Sequence, residues 1–519
     1  MHRPAFLLWA LFGLCAAAQE PYPVPEPHPV SGPTLVGSYY FPGHFNAARW
    51  VPMAQAGFPL PLLGYYRDGE PVVSDWHIKW AVEHGISFFV FDWYYDYKTG
   101  NVHQHNDALE RGFLRAKYRD LMKFAIFWCN EEAREPDYTE EQMMLLARTL
   151  RDRYFTKPNL LRFGGKAPLF VSQPWRLTKR FGVDGCAEVW RRMSAEAGVE
   201  IMPIALAHHE QETLAKAGYA AIAAYNYAGA NVPSGQREAP YDTMVTGYED
   251  MWKQATTNAK LPYIVPVSPG WDSRPWYGER AMVRTNPRPE KFRAMCEAAK
   301  RYVSPQLNAV ISECWNEFGE GSYIEPCTQY GFGYLDAVRD AFCPDSPHHV
   351  DLTPQALGQT VPTYEDIPVF TEADVAAQEG NRVYNPGFER RWGWVTFAGA
   401  DAAIDDHVAR TGKRSAVVTT ADQGIKSMDT VPVKPGQTIE VWAWVRTEDG
   451  AKASVTCALF GPGGTWLQRY RAVGEASGAE WQRVGQAFRW DDPETAAVDV
   501  EVVASGGKVW VDDVGIRRE

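Results

Sequence analysis

The chain has 519 residues, 22% of them charged, and a formal net charge of -12; that is too long for one ordinary core, so two domains are expected. An acidic balance without any basic tract excludes nucleic acid or an anionic polymer held by bulk attraction. Beyond residue 19 no stretch reaches the ~18 to 20 uninterrupted apolar residues of a membrane span, so no transmembrane span is expected.

In chain order, the first segment has a basic start (His2, Arg3), an apolar run from Ala5 to Ala18 and a small-residue stretch ending at Gln19. That is the layout of a signal peptide over residues 1–19, and it predicts a secreted or periplasmic protein. Without Cys15 the cysteines are Cys129, Cys186, Cys296, Cys314, Cys327, Cys343 and Cys457. The odd number and the lack of paired zinc spacing predict neither a disulfide framework nor a zinc site. Cys129 and Cys314 read as buried apolar residues, and Cys327 with Cys343 is the one pair to test for a bridge.

From residue 33 to 345, β-rich apolar runs alternate with amphipathic helical stretches, the pattern of parallel β/α architecture. The runs are Leu35 to Phe41, Ile86 to Trp93, Lys123 to Cys129, Pro168 to Gln173, Glu200 to Ala207, Ala220 to Tyr225, Pro262 to Val267 and Ala309 to Cys314. Helical periodicity covers Val73 to Glu83, Asn106 to Ala116, Glu140 to Arg153, Ala187 to Ala197, Pro289 to Arg301 and Gly333 to Phe342. Eight such units over about 300 residues predict an α/β fold, a (β/α)8 TIM barrel with its reactive groups after the C-terminal strand ends. Residues 346–380, with several prolines and acids and no period, read as a linker able to pack across the barrel. Residues 381–519 then show short alternating strands between Gly, Pro and Asp turns, among them Thr438 to Val445 and Trp481 to Trp490. This predicts a C-terminal β-sandwich.

The last barrel run is followed by Trp315-Asn316-Glu317-Phe318-Gly319-Glu320-Gly321-Ser322-Tyr323. Carboxylates three apart on a turn face the same way, ~5 to 6 Å apart at their bases, near the ~5 to 5.5 Å that retaining glycosidases use. Like charges so close raise one pKa, which supplies one acid and one base. Glu317 and Glu320 are therefore the candidate catalytic pair. Other strand ends carry Tyr40, Asp92, Trp93, Tyr94, Trp128, Asn130, Glu131, His208, Tyr225, Asn226, Trp271 and Asp272. With Trp315, Asn316 and Tyr323 these are the candidate substrate-binding residues, since acids and amides pair with vicinal hydroxyls and rings stack on sugars. Taken singly, Asp92 serves equally as a cap and Trp128 equally as core; shared location on one barrel face argues for the site. His208, His209 and Glu210 are adjacent on one chain and rarely converge on an ion, so no catalytic cofactor is expected.

These motifs resemble glycoside hydrolase family 99-like proteins, including WbsX-like members that carry a glycosyltransferase label. The resemblance rests on Tyr39-Tyr40-Phe41-Pro42, Gly85-Ile86 leading to Phe91-Asp92-Trp93-Tyr94, Phe127-Trp128-Cys129-Asn130-Glu131 and Pro269-Gly270-Trp271-Asp272. Most specific is Trp315-Asn316-Glu317-Phe318-Gly319-Glu320-Gly321 with Tyr323-Ile324-Glu325-Pro326. It implies endo-α-mannosidase-like chemistry on an α-linked glycan, with Glu317 drawing the proton from the sugar 2-hydroxyl and Glu320 protonating the leaving oxygen. A 1,2-anhydro sugar would follow. Phe318 and Gly319 stand where the mannosidases carry Trp and His, a departure that bears on sugar specificity and leaves both carboxylates in place.

The tail resembles family 4/9/22-type carbohydrate-binding modules through Asn385-Pro386-Gly387-Phe388-Glu389, Thr411-Gly412-Lys413-Arg414-Ser415 and Val509-Trp510-Val511-Asp512-Asp513-Val514. The resemblance implies a structural calcium held by Glu389 and Asp512 or Asp513. Trp392, Trp394, Trp466 and Trp481 serve either as core anchors or as a binding platform. The leading expectation is a secreted retaining glycoside hydrolase with a polysaccharide or oligosaccharide as partner. Its rivals are a glycosyltransferase, as the label suggests, for which no phosphate-cradling motif is visible, and a non-catalytic glycan-binding protein on a barrel scaffold.

Overall fold

The computed structural model describes residues 23–45, 49–96, 101–102, 104–130, 138–347, 349–364, 372–389, 394–397, 402–419, 423–427, 430–461 and 466–518. The signal-peptide segment, Glu131 and Trp392 lie outside the described residues.

All eight predicted runs form strands of one parallel sheet: β1 (Leu35–Tyr40), β2 (Ile86–Trp93), β3 (Lys123–Trp128), β4 (Ala167–Val171), β5 (Ile201–Leu206), β6 (Ala221–Ala223), β7 (Val265–Val267) and β8 (Ala309–Ser312). The spatial order is β7-β8-β1-β2-β3-β4-β5-β6. A parallel bridge between Ile222 and Tyr263 closes the ring: the Ile222 amide donates to Pro262 O at 2.9 Å and the Ile264 amide donates to Ile222 O at 3.0 Å. Both faces of the strands are covered. Tyr39, Phe88, Val90, Phe127, Phe170 and Ile311 fill the interior, while Tyr40, Phe89, Phe91, Trp93 and Trp128 point out into the layer beneath the helices. Burial on both faces is why the strands read as continuous apolar runs.

The helices carry the signals that start them. Thr139 and Gln142 form a reciprocal capping box (Thr139 amide to Gln142 Oε1 2.8 Å, Gln142 amide to Thr139 Oγ1 3.2 Å) that begins Glu140–Leu150, and proline begins Pro71–Glu83 and Pro289–Ala299. The Asn106 to Ala116 stretch instead winds as a π turn followed by a 3-10 turn, because Gly112 is pressed against Asp68 and Ser74, where a Cβ would lie 2.6 Å from Asp68 O.

Residues 349–364 lie along the barrel as a strap. Trp80 Nε1 donates to Leu352 O at 2.8 Å, Gln355 Nε2 donates to Leu62 O at 2.7 Å and the Tyr364 amide donates to Tyr65 O at 2.8 Å. After it come two antiparallel sheets, a seven-stranded and a five-stranded one. Strict alternation along Thr438–Glu448 turns Ile439, Val441, Ala443 and Val445 into their shared core. Cys327 and Cys343 are both free, as are the other cysteines described, so the bridge singled out for testing does not form. Among the described residues no helix is long and apolar enough to cross a membrane.

Candidate active site

The segment after β8 is built to hold two carboxyls in place. Asn316 clamps it to the end of β1: its Oδ1 accepts from the Phe41 amide at 2.9 Å and its Nδ2 donates to Phe41 O at 3.0 Å. Asn316–Glu317 then pairs antiparallel with Ser322–Tyr323, and Phe318–Glu320 forms the 3-10 turn between them. Glu317 stands at the head of this turn and Glu320 at its end, and both face the same cavity. Two glycines make the turn possible. Gly321 has φ +63° and lies so close to Asp272 that a Cβ would stand 2.6 Å from its amide nitrogen; that amide donates to Glu320 O at 2.7 Å. A Cβ on Gly319 would stand 1.9 Å from the Trp276 indole, so Trp276 fills the space that a side chain at 319 would take. Phe318 stacks on Tyr323 at 4.2 Å, and Glu325 accepts from Tyr66 Oη at 2.9 Å and lies 3.1 Å from His77 Nε2.

Glu317 and Glu320 open into a cavity of about 620 Å³ at the C-terminal end of the strands. Asp92, Tyr94, His208, Tyr225, Asn226 and Trp271 also line it. The Tyr225 hydroxyl lies 2.6 Å from Glu317 Oε2 and 3.1 Å from Asp92 Oδ2. One proton serves both contacts, so the phenol couples the two acids, and burial, then Asp92, keep it protonated far above its ordinary pKa. Its ring is held by Phe127 at 5.5 Å and Tyr39 at 4.8 Å.

The two glutamates are not equivalent. Burial pushes Glu317 up to about 7, while the Tyr225 bond and the Arg49 guanidinium pull it back. Glu320 rises further, from burial first and then from Glu317, Glu313 and Asp92, all of them acids. The pair therefore loses its first proton from Glu317 and keeps the second on Glu320. His208 is pressed down to about 4 by burial and by His209, so its imidazole is neutral at pH 7, and its Nε2 has no hydrogen-bond partner among the described residues.

Other predicted residues are placed elsewhere. Tyr40, Trp93, Trp128 and Trp315 are buried in the layer beneath the helices. For the three on strands, side chains alternate across the strand, so Tyr39, Asp92 and Phe127 point inward and their successors point away. These four are corrected to core. Asn130 pins two strand ends together, accepting from the Gln173 amide at 2.7 Å and donating to Gln173 O at 3.1 Å; it and Asn316 are clamps without a place in the cavity lining. Asp272 and Tyr323 line a neighbouring cavity of about 610 Å³, which shares Trp271 with the first, and Asp272 is paired with Arg274.

Several residues of the site were not anticipated. Glu313 is fully buried, with the Tyr248 hydroxyl 3.3 Å from its Oε2, and burial pushes its pKa far up. Arg49, the cation that faces Glu317, has its guanidinium 4.8 Å over the Trp276 ring. Phe127, Cys129, Ser172 and His209 are also part of the lining. An acid inside the apolar run Ala309 to Cys314 was a usable signal for Glu313; nothing local marks Arg49 or Trp276.

In the sandwich, Glu389, Asp512 and Asp513 come together around Gly387. Asp512 Oδ2 accepts from the Arg410 and Thr411 amides at 2.7 and 3.2 Å, and Glu389 Oε1 accepts from the Lys413 and Arg414 amides at 2.6 and 2.9 Å. Trp394 packs on Phe388 at 4.6 Å, Trp481 is half-buried, and Trp466 with Tyr470 forms an exposed pair 5.9 Å apart.

The family model described as Glycosyltransferase WbsX matches residues 52–338. A protein of Xanthomonas campestris pv. campestris named uncharacterized protein WxcX is 23% identical over 347 residues, covering 61% of this chain and 48% of that protein. The chain thus spans about half the length of the curated relatives it matches. The solved GH99 endo-alpha-mannosidase of Bacteroides thetaiotaomicron is 18% identical, with a TM-score of 0.42, covering 60% of this chain and 98% of that one. The CBM22-1 xylan-binding domain of Paenibacillus barcinonensis Xyn10C is 16% identical, with a TM-score of 0.22, covering 25% and 90% respectively.

Proposed function

We propose that this chain, which belongs to the family described as glycosyltransferase WbsX, acts at a glycosidic carbon as an exported retaining glycoside hydrolase of α-linked glycans. The observation that carries the reading is the pair of carboxyls on one turn, Glu317 buried and Glu320 half-buried, of which, among the described residues, Glu317 alone faces a hydrogen-bond donor and a cation. Near neutral pH this yields a base and an acid in one cavity.

In the first step the Glu317 carboxylate takes the proton of the sugar 2-hydroxyl, and that oxygen bonds to the anomeric carbon. The bond from this carbon to the leaving oxygen breaks, and Glu320 gives its proton to the leaving oxygen. In the second step Glu320, now a carboxylate, takes a proton from water, which attacks the anomeric carbon of the 1,2-anhydro sugar. The bond from the anomeric carbon to the epoxide oxygen at C2 breaks, and that oxygen returns to a hydroxyl by recovering the proton from Glu317. Tyr225 and Asp92 hold Glu317, while His208, Asn226 and Trp271 offer polar contacts and a ring face to the sugar.

The family description favours a second reading, transfer from an activated sugar to an acceptor other than water. Against a nucleotide-sugar donor, no Lys or Arg is among the described residues that line the cavity, so a diphosphate leaving group would meet three carboxyls instead. The tail, with its exposed Trp466 and Tyr470, is read as a glycan-binding module, and calcium at Glu389, Asp512 and Asp513 is part of that reading. The test is release of reducing sugar from a panel of α-mannans and other α-linked yeast and algal polysaccharides, with Glu320→Gln beside wild type. Release by wild type alone supports hydrolysis; turnover only with a nucleotide sugar and an acceptor overturns it in favour of transfer.

A further inference from the structure

On the opposite side of the barrel from the cavity, where strands begin and side chains serve stability, three metal-ligating groups converge. Pro71–Glu83 ends one residue before His84, which precedes β2, and the strap brings His349 and Asp351 onto that point. His84 Nε2 lies 3.3 Å from Asp351 Oδ1, and His349 Nε2 lies 3.1 Å from the same oxygen and 3.7 Å from Glu83 Oε2. We propose that His84, His349 and Asp351 form a structural site for a divalent transition-metal ion, zinc by its ligand set, which fastens the strap to the barrel, with Glu83 beside His349 as an outer acid.

Three independent features support the assignment. The ligand atoms of a tetrahedral zinc with bonds of about 2.0–2.1 Å stand about 3.3–3.4 Å apart; Asp351 Oδ1 stands 3.3 Å from His84 Nε2 and 3.1 Å from His349 Nε2, and all three ligand atoms lie within 4.8 Å of one another. His84 Nε2 and His349 Nε2 meet no well-formed hydrogen bond among the described residues and face carboxylate oxygens instead, Asp351 Oδ1 for both and Asp336 Oδ1 at 3.6 Å for His84, which is 0% exposed. Buried nitrogen atoms in that condition are costly unless something fills the space between them.

The outer contacts are those a metal-bound imidazole needs. His84 Nδ1 lies 2.6 Å from Trp80 O, so that nitrogen carries the proton and Nε2 presents its lone pair. Phe332 stacks on the ring at 5.8 Å. Glu83 Oε1 is held by Lys79 Nζ at 2.5 Å and by the His28 amide at 3.0 Å, leaving Oε2 directed at His349. The competing occupant is a proton. Burial lowers the His84 pKa, but Asp336 and Asp351 outweigh it and hold the imidazolium up to about 9. A protonated His84 would repel the ion, so metal binding and this proton exclude each other.

Zinc content after dialysis against buffered Zn2+ tests the site in the full chain, with thermal unfolding followed beside it. Wild type is expected to hold one Zn2+ per chain and to gain roughly 5 °C over the chelated protein, with no gain from Ca2+. His349→Ala, at a half-buried position on the strap, should lose both the ion and the gain, and Asp336→Asn should keep both. Co2+ replaces zinc as a second readout that needs no variant: strong visible absorption reports a tetrahedral site. A wild type that takes up no Zn2+, or a His349→Ala protein that takes up as much, overturns the proposal; the latter would point to the exposed Asp405, Asp406 and His407 group. Weak octahedral Co2+ bands would overturn it as well.

Discussion

The barrel and the C-terminal sandwich each carry a group of acids, and they treat them in opposite ways. Asp512, Asp513 and Glu389 accept from the amides or side chains of Arg410, Thr411, Lys413 and Arg414. With such donors in place Asp512 rises only to about 6 despite its burial and its neighbour Asp513. Glu320 in the barrel is raised well above its ordinary value, by burial first and then by Glu317, Glu313 and Asp92. An acidic cluster that receives the chain's own N–H groups holds loops together; one deprived of them stores a proton for use.

The largest effect expected from this contrast is on turnover. Glu320→Gln keeps the shape and removes the stored proton, so kcat should fall about 10³-fold with the unfolding transition unmoved. Asp512→Asn, the equivalent change in the sandwich, should leave kcat as it was. Equal losses in the two variants would erase the distinction.

Next comes the packing that shapes the turn. Gly319→Ala drives a methyl group into Trp276 and should cost about 1–3 kcal/mol of stability, read from denaturant unfolding. A neutral result would mean that the indole gives way freely and that Trp276 does not fix the turn.

Tyr225→Phe should reduce kcat about tenfold, the scale of one lost hydrogen bond to a charged group. The phenol lowers the Glu317 pKa, so its loss raises that pKa. Since the base must be ionised, activity in wild type should rise through about pH 7, and this acid limb should move to higher pH in the variant. A limb that stays in place would remove Tyr225 from the account of the asymmetry. The smallest effect concerns calcium: with N–H donors already on Asp512 and Glu389, EGTA should lower the sandwich's unfolding midpoint by no more than about 2 °C. A larger fall would show that the donors do not suffice.

The sequence displays the strands far better than it displays their faces. All eight barrel strands are legible because each is a short apolar run between helical stretches. The inward direction is not, since both faces of a barrel strand are buried; Asp92 and Trp93 read alike, yet one lines the cavity and the other is core. Glu317 and Glu320 are legible from their spacing and their place after β8, whereas Asn130 and Asn316 turn out to bond backbone, a role indistinguishable by residue type from binding a hydroxyl. Arg49 and Trp276 reach the site from loops distant in sequence. His84 and His349 likewise meet only once the strap folds back, so a search for paired cysteines misses them.

The central claim is that Glu317 and Glu320 break a glycosidic bond with retention. Proton NMR of the product's anomeric centre during hydrolysis of an α-linked substrate tests it most directly. The account predicts that the α-anomer appears first and then equilibrates by mutarotation; the β-anomer appearing first would contradict it.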